Sequence, residues 1–168
     1  MEAETGGQAP QPEGARRIGV LQILAANDPD GVAETAAFLQ GLAQLGWTDG
    51  GNVRIEYRHG LGNPGNVRKY AAELVALTPD VILSIGGASQ VGPLLQATRT
   101  VPIVFTYAAD PVGAGLVDSL ARPGGNATGF VSSEYSLSGK WLELLKQIAP
   151  SVTRAAVLRD TASPAGNA

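Results

Sequence analysis

Short polar segments, each following a run of branched apolar residues, hold the side chains of this chain that could bind a small molecule. The clearest is Gly86-Gly87-Ala88-Ser89-Gln90, directly after the run VILSI. Two glycines let the backbone approach a ligand closely, and Ser89 and Gln90 stand in the first turn of a predicted helix. Free N–H groups and the helix dipole favour a carboxylate there. Simple capping of the helix is the alternative, and the local sequence slightly favours it.

The ends of two other apolar runs offer further ligand contacts. Tyr107 could stack on a planar ligand, and Asp110 could accept a hydrogen bond from a ligand amine. For Asp110, capping of a short following helix is the favoured interpretation. Asn27 and Asp28 follow the first apolar run in the same way. These four positions therefore join the candidate ligand-binding residues.

The sequence contains no motif typical of catalysis or of metal binding. The chain has no cysteine and one histidine, His59, which excludes thiolate chemistry and paired-histidine metal motifs. Val91 stands where the nucleophile motif G-x-S-x-G requires its last glycine, and no lysine follows the glycines as in a P-loop. We therefore expect no catalytic residue, no metal and no cofactor, and a solvated or ligand-edge position for His59.

Strands and helices alternate along the chain, a pattern typical of βαβ units and a parallel sheet. Helices are expected at 30–45, between 63 and 79, and at 88–97, 115–120 and 138–148. Strands are expected at 17–23, 52–58, 81–85, 101–106, 127–131 and 154–159. The predicted fold class is α/β, a flavodoxin-like parallel sheet flanked by helices. Because ligands bind beyond the carboxyl ends of such strands, the polar segments meet in one region: 25–28, 58–59, 86–90, 107–110 and 132–135.

Two elements carry more detailed predictions. The alternation of apolar and charged residues over 52–58 indicates a strand with one wet side, near a sheet edge. The helical spacing over 30–45 predicts a single apolar face, formed by Val32, Ala36, Leu39, Leu42 and Ala43.

Length and composition bound the number of domains and the kind of partner. The chain has 168 residues, of which 44% are hydrophobic and 16% charged, with a net charge of −3. These totals suit one domain with a core and argue against nucleic acid as a partner. Residues 1–16 are expected to be a disordered tail with no visible signal peptide, and no segment is long enough for direct membrane insertion. Residues 17–131 are predicted to form a first α/β lobe, and 132–168 the crossover helix and first strand of an incomplete second lobe.

Three stretches together resemble a known family. They are LGW at 45–47 with GNVRIEYR at 51–58, the block VPIVFTYAADPVGAGLVDSLARPGGNATG at 101–129, and KWLELLKQIAP at 140–150. These resemble the substrate-binding proteins of bacterial ABC transporters, in the group that includes tryptophan-binding members and is related to the type I periplasmic binding fold. The resemblance implies two lobes that close on a solute by a hinge, a membrane permease as partner, and a periplasmic or other extracytoplasmic location if the protein is exported.

The resemblance also implies which residues of this chain neighbour the ligand. They lie on the matching strand ends and at the crossover between lobes: Gly87, Ala88, Ser89, Tyr107, Asp110, Ser132 and Ser133. The leading hypothesis is a solute-binding lobe for a small organic solute, such as an amino acid or an aromatic carboxylate. A ligand-sensing regulatory domain and, less favoured, an enzyme on a Rossmann-like scaffold are the alternatives.

Overall fold

A five-stranded sheet, parallel throughout, is the centre of the computed structural model, which describes residues 14–133 and 138–156. The strand order is β2-β1-β3-β4-β5. The strands are β1 (Arg16–Gln22), β2 (Val53–His59), β3 (Val81–Ile85), β4 (Ile103–Ala109) and β5 (Ala127–Ser133). The helices are α1 (Pro29–Gln44), α2 (Pro64–Ala76), α3 (Ala88–Ala97) and α4 (Ser138–Ile148). The predicted α/β class and flavodoxin-like order are confirmed.

Two apolar clusters fill the two faces of the sheet. On one face, α2 and α3 bury residues such as Leu74 and Leu94 against Ile82 and Ile103. On the other face α1 packs over β1, β2 and β3, where Val20 is buried. Helices fall on both faces because right-handed crossovers running in opposite directions from the sheet centre lie on opposite sides. β2 is an edge strand, as its alternating sequence predicts.

The face that α1 turns to the sheet differs from the predicted one. Of the predicted face only Leu42 packs into the apolar cluster, where Phe38 joins it, whereas Val32 and Leu39 are exposed. The packed stripe is in line with Gly31, where an added Cβ would lie 3.1 Å from the Leu24 Cβ and from the Gln22 amide nitrogen. The helix therefore lies closest to the sheet at Gly31. This close approach decides that the stripe with Phe38 is buried, rather than the stripe with Val32 and Leu39.

The segment around β4 differs in two ways from the prediction. β4 begins at Ile103 rather than at 101 and continues to Ala109. The short helix expected at 115–120 is absent, and turns occupy this segment instead. Gly115 has φ +67, a conformation that interrupts a right-handed helix, and the Leu116 N–H donates to the Pro111 carbonyl at 2.8 Å.

Only part of the predicted second lobe lies within the described residues. α4 has the expected bounds, 138–148. Residues 154–156 of the strand expected at 154–159 have no regular structure, and 157–159 lie outside the described residues, as do the tail residues 1–13. The division into a first lobe and an incomplete second lobe stays a prediction.

Candidate functional site

The carboxyl edge of the sheet contains the point where the strand order reverses. From β1 the chain goes to β2 on one side, and from β3 it goes to β4 on the other. In an open parallel sheet this switch point leaves a crevice between the two loops, which is where ligands bind. The loops that flank it here follow β1 at 23–28 and β3 at 86–87.

Two glycines shape the loop between β3 and α3. Gly86 and Gly87 have φ values of +144 and +85, which side chains other than glycine rarely adopt. A Cβ on Gly86 would lie 2.6 Å from the Cβ of Ile23, so the loops after β1 and β3 touch through this glycine. The tight turn predicted from the sequence is confirmed, and its first glycine is required by close packing.

The N-terminus of α3 faces this loop without a side-chain cap. Gly87 occupies the N-cap position and supplies no side-chain hydrogen bond. Ser89 is exposed in the first turn, and Ala88 is buried. Because the first N–H groups of a helix have no partner within the helix, this end of α3 can accept an anionic group.

Gln90 is a candidate residue whose side chain the structure turns away from the surface. Its side chain is fully buried. With the amide nitrogen facing the carbonyls of Ile85 and Leu21, it donates at 2.9 and 3.3 Å, and its oxygen accepts from the Ile23 N–H at 2.9 Å. The expected ligand contact is therefore corrected: a helical turn directs this side chain inward, where it ties α3 to the ends of β1 and β3.

Tyr107 lies at an irregularity of β4 and projects into solvent. Between the pairs Phe105–Gly129 and Ala108–Val131, β4 has one more residue than β5. Tyr107 has φ +59 and is 57% exposed. A bulky residue in the left-handed region is uncommon, and bulges often redirect a side chain beside a binding site.

Three of the candidate residues meet around the backbone of Tyr107. The Ser132 hydroxyl donates to the Tyr107 carbonyl at 3.2 Å. A Cβ on Gly87 would lie 3.5 Å from the same oxygen. The ends of β3, β4 and β5 therefore converge, as the strand-end prediction requires. Ser133 is the last residue of β5 and pairs with Ala109.

Both candidate aspartates bind the backbone of their own turns. Asp28 is the N-cap of α1, and its Oδ1 accepts from the Asp30 and Gly31 N–H groups at 3.0 and 3.3 Å. The Oδ1 of Asp110 accepts from the Gly113 N–H at 3.0 Å. Local capping, the favoured interpretation for Asp110, agrees with this geometry, although a turn rather than a helix follows. Asn27, beside Asp28, is exposed.

Two more residues lie at this edge: His59, which was expected at a solvated or ligand-edge position, and Leu61, which the sequence-based set did not include. The Nδ1 of His59 lies 2.9 Å from the Leu24 carbonyl, so the histidine fastens β2 to the loop after β1. Leu61 is exposed in the loop after β2 with φ +55. The pattern Gly60-Leu61-Gly62-Asn63 was the available signal, because glycines around a single residue indicate a tight turn.

The described residues, 14–133 and 138–156, contain no group of three or more histidine, aspartate or glutamate residues that could hold a metal ion. Within that same part of the chain, no helix is long and apolar enough to cross a membrane. The strand-end polar groups include the Ser132 hydroxyl and two aspartates, Asp28 and Asp110, whose carboxylates accept hydrogen bonds from the N–H groups of their own turns.

Comparisons with known proteins assign this arrangement to a family. The family model for ABC transporter substrate binding protein matches residues 17–165. A Clostridioides difficile protein named tyrosine-binding protein is 32% identical over 146 residues, which are 87% of this chain and 41% of that protein.

Solved structures agree with the sequence matches. A Streptococcus pneumoniae ABC domain in complex with L-Trp superposes with a TM-score of 0.68 at 30% identity. A conserved domain protein from Vibrio cholerae superposes with a TM-score of 0.69 at 36% identity. Each match covers 82% of this chain and 45% of the solved chain, so this chain spans less than half the length of its relatives. With its parallel sheet and a family match that extends over residues 17–165, the chain belongs to the ABC transporter substrate-binding proteins.

Proposed function

We propose that the carboxyl edge of the sheet is one wall of a cleft that binds a small solute for delivery to an ABC transporter permease. The observation that carries this proposal is the convergence of Gly87, Tyr107 and Ser132 beside the uncapped N-terminus of α3. These groups offer backbone donors, a hydroxyl and an aromatic ring, a set that suits binding without chemical change.

The solute is an amino acid or an aromatic carboxylate. Its carboxylate takes the free N–H groups of α3, because the helix dipole and unpaired donors favour an anion there. Its apolar part lies against the exposed ring of Tyr107. Relatives that bind tyrosine and L-Trp support this class, since both ligands combine a carboxylate with an aromatic ring.

The family also supports three statements about the whole protein. It acts outside the cytoplasm, it contacts a membrane permease, and it releases its solute unchanged. Each is inferred from membership in the substrate-binding family.

Isothermal titration calorimetry on the protein as its gene encodes it tests the proposal. Tyrosine, tryptophan and phenylpyruvate are expected to bind, whereas tyramine, which lacks the carboxylate, is expected not to. Tyr107→Ala should weaken the binding of aromatic solutes by about tenfold, equivalent to about 1.4 kcal/mol. Tyr107→Phe keeps the aromatic ring and serves as the control. Absence of binding across the panel, or tight binding of tyramine, would contradict the proposal.

A further inference from the structure

Leu61 holds an unfavourable position that the isolated lobe does not explain. It is 58% exposed and has φ +55. The left-handed conformation costs a branched side chain about 1–2 kcal/mol relative to the right-handed one. A leucine here combines backbone strain with apolar exposure, whereas asparagine or glycine would avoid both penalties.

The turn around Leu61 is held rigidly. The Asn63 N–H donates to the Gly60 carbonyl at 3.0 Å, and both central residues, Leu61 and Gly62, have positive φ, as in a type I′ turn. The Gly60 N–H donates to the Gln22 carbonyl at 2.8 Å, which fixes the turn to the end of β1. A Cβ on Gly60 would lie 2.8 Å from Val67 Cγ2, so the turn also packs on α2. Leu61 is therefore presented on a fixed support.

Leu61 and Tyr107 flank the switch point from opposite sides. Leu61 follows β2, Tyr107 ends the regular part of β4, and β1 and β3 lie between them. With adjacent strands about 4.8 Å apart, the two supports are separated by about 14 Å. Both are exposed apolar residues with positive φ at the carboxyl edge. Strained residues of this kind concentrate at ligand-binding sites.

We propose that Leu61 is a specificity-determining residue that contacts the apolar side chain of the bound solute, on the side of the crevice opposite Tyr107. The proposal rests on the solute-binding function proposed above and deepens it. A contact from Leu61 makes the site selective for solutes with a large apolar side chain, because a small solute cannot reach both Leu61 and Tyr107.

Leu61→Asn and a matched control, Thr78→Asn, test the proposal in the protein as its gene encodes it. Thr78 also has a positive φ, +49, but lies before β3 at the amino edge of the sheet. Asparagine tolerates the left-handed region, so neither variant should lower Tm. Calorimetry should show tyrosine binding weakened by about tenfold in Leu61→Asn and unchanged in Thr78→Asn, since only Leu61 loses apolar burial against the solute.

Solutes of different size separate the possible results. The affinity lost in Leu61→Asn should be greatest for tyrosine and tryptophan, smaller for leucine, and least for alanine. An equal loss for all solutes would overturn the proposal, because it would place Leu61 against protein rather than solute. An unchanged affinity would overturn it as well. If the wild type bound neither these amino acids nor phenylpyruvate, the proposed function itself would fail, and this inference with it.

Discussion

At the scale of single residues, the carboxyl edge of the sheet is shaped by backbone conformations that most side chains avoid. Gly86, Gly87, Tyr107 and Asp110 all have positive φ, and all lie in loops or irregular segments after β3 or within and after β4. Glycine adopts such values at little cost, whereas tyrosine does not. The surrounding hydrogen bonds must therefore hold Tyr107 in place, and the Ser132 hydroxyl at its carbonyl is one of them.

Gly86→Ala should lower the free energy of unfolding by about 2–4 kcal/mol, from an unfavourable φ and overpacking against Ile23. Urea denaturation measures the change. Gly92→Ala is the matched control within α3, where an added Cβ meets nothing within 4 Å. It should raise the free energy of unfolding by up to about 1 kcal/mol. Equal effects of the two substitutions would contradict the close approach at Gly86.

At the scale of elements, polar contacts join the ends of neighbouring strands. At the carboxyl edge, buried Gln90 connects α3 to the ends of β1 and β3. At the amino edge, Asp80 precedes β3 and accepts from the Arg17 N–H and from the Arg16 guanidinium, both at 2.7 Å. These hydrogen bonds, the Arg17 backbone N–H first, lower the pKa of Asp80 below its usual 3.8. The central strands β1 and β3 are thus fastened at both edges.

The Asp80 contact predicts a dependence of stability on pH. The folded-state pKa of Asp80 is lower than its unfolded-state pKa. The ionised Asp80 carboxylate therefore contributes its full stabilisation of the fold above the unfolded-state pKa, and this stabilisation is lost as the pH falls through the folded-state pKa. Asp80→Asn should therefore be less stable than the wild type at pH 6, and the difference should shrink below a pH of about 3.8. Urea denaturation between pH 3 and 7 measures this. A difference that stays constant with pH would refute the assignment.

At the scale of the whole molecule, α4 leaves its apolar side chains in solvent. Trp141 is 56% exposed and Ile148 is 82% exposed, and Leu144 and Leu142 are exposed as well. An amphipathic helix of this kind gains its stability by burying its apolar face, and large exposed patches mark interaction surfaces. The predicted second lobe would supply such a surface, in line with relatives of which this chain covers only 41% and 45%.

The polypeptide of residues 1–168 should consequently self-associate through α4. Leu144→Lys is expected to reduce the association measured by sedimentation velocity while leaving the free energy of unfolding unchanged, because Leu144 is already exposed. Leu94→Lys on α3 is the contrasting variant, since Leu94 is fully buried and a lysine there should prevent folding. A monomeric wild-type polypeptide, or unfolding caused by Leu144→Lys, would contradict this account.

The sequence by itself determined the α/β class, the order of β1–β5 and α1–α4, and the edge position of β2, because apolar periodicity and glycine-containing turns are local signals. It also predicted a candidate site, since the carboxyl ends of parallel strands share one edge, and that site stays a prediction. Tertiary structure alone decided which stripe of α1 is buried, through the close approach at Gly31. It also turned Gln90 inward, replaced the expected helix at 115–120 with turns, and placed Leu61 opposite Tyr107. These outcomes depend on contacts between distant segments, which a local pattern does not contain.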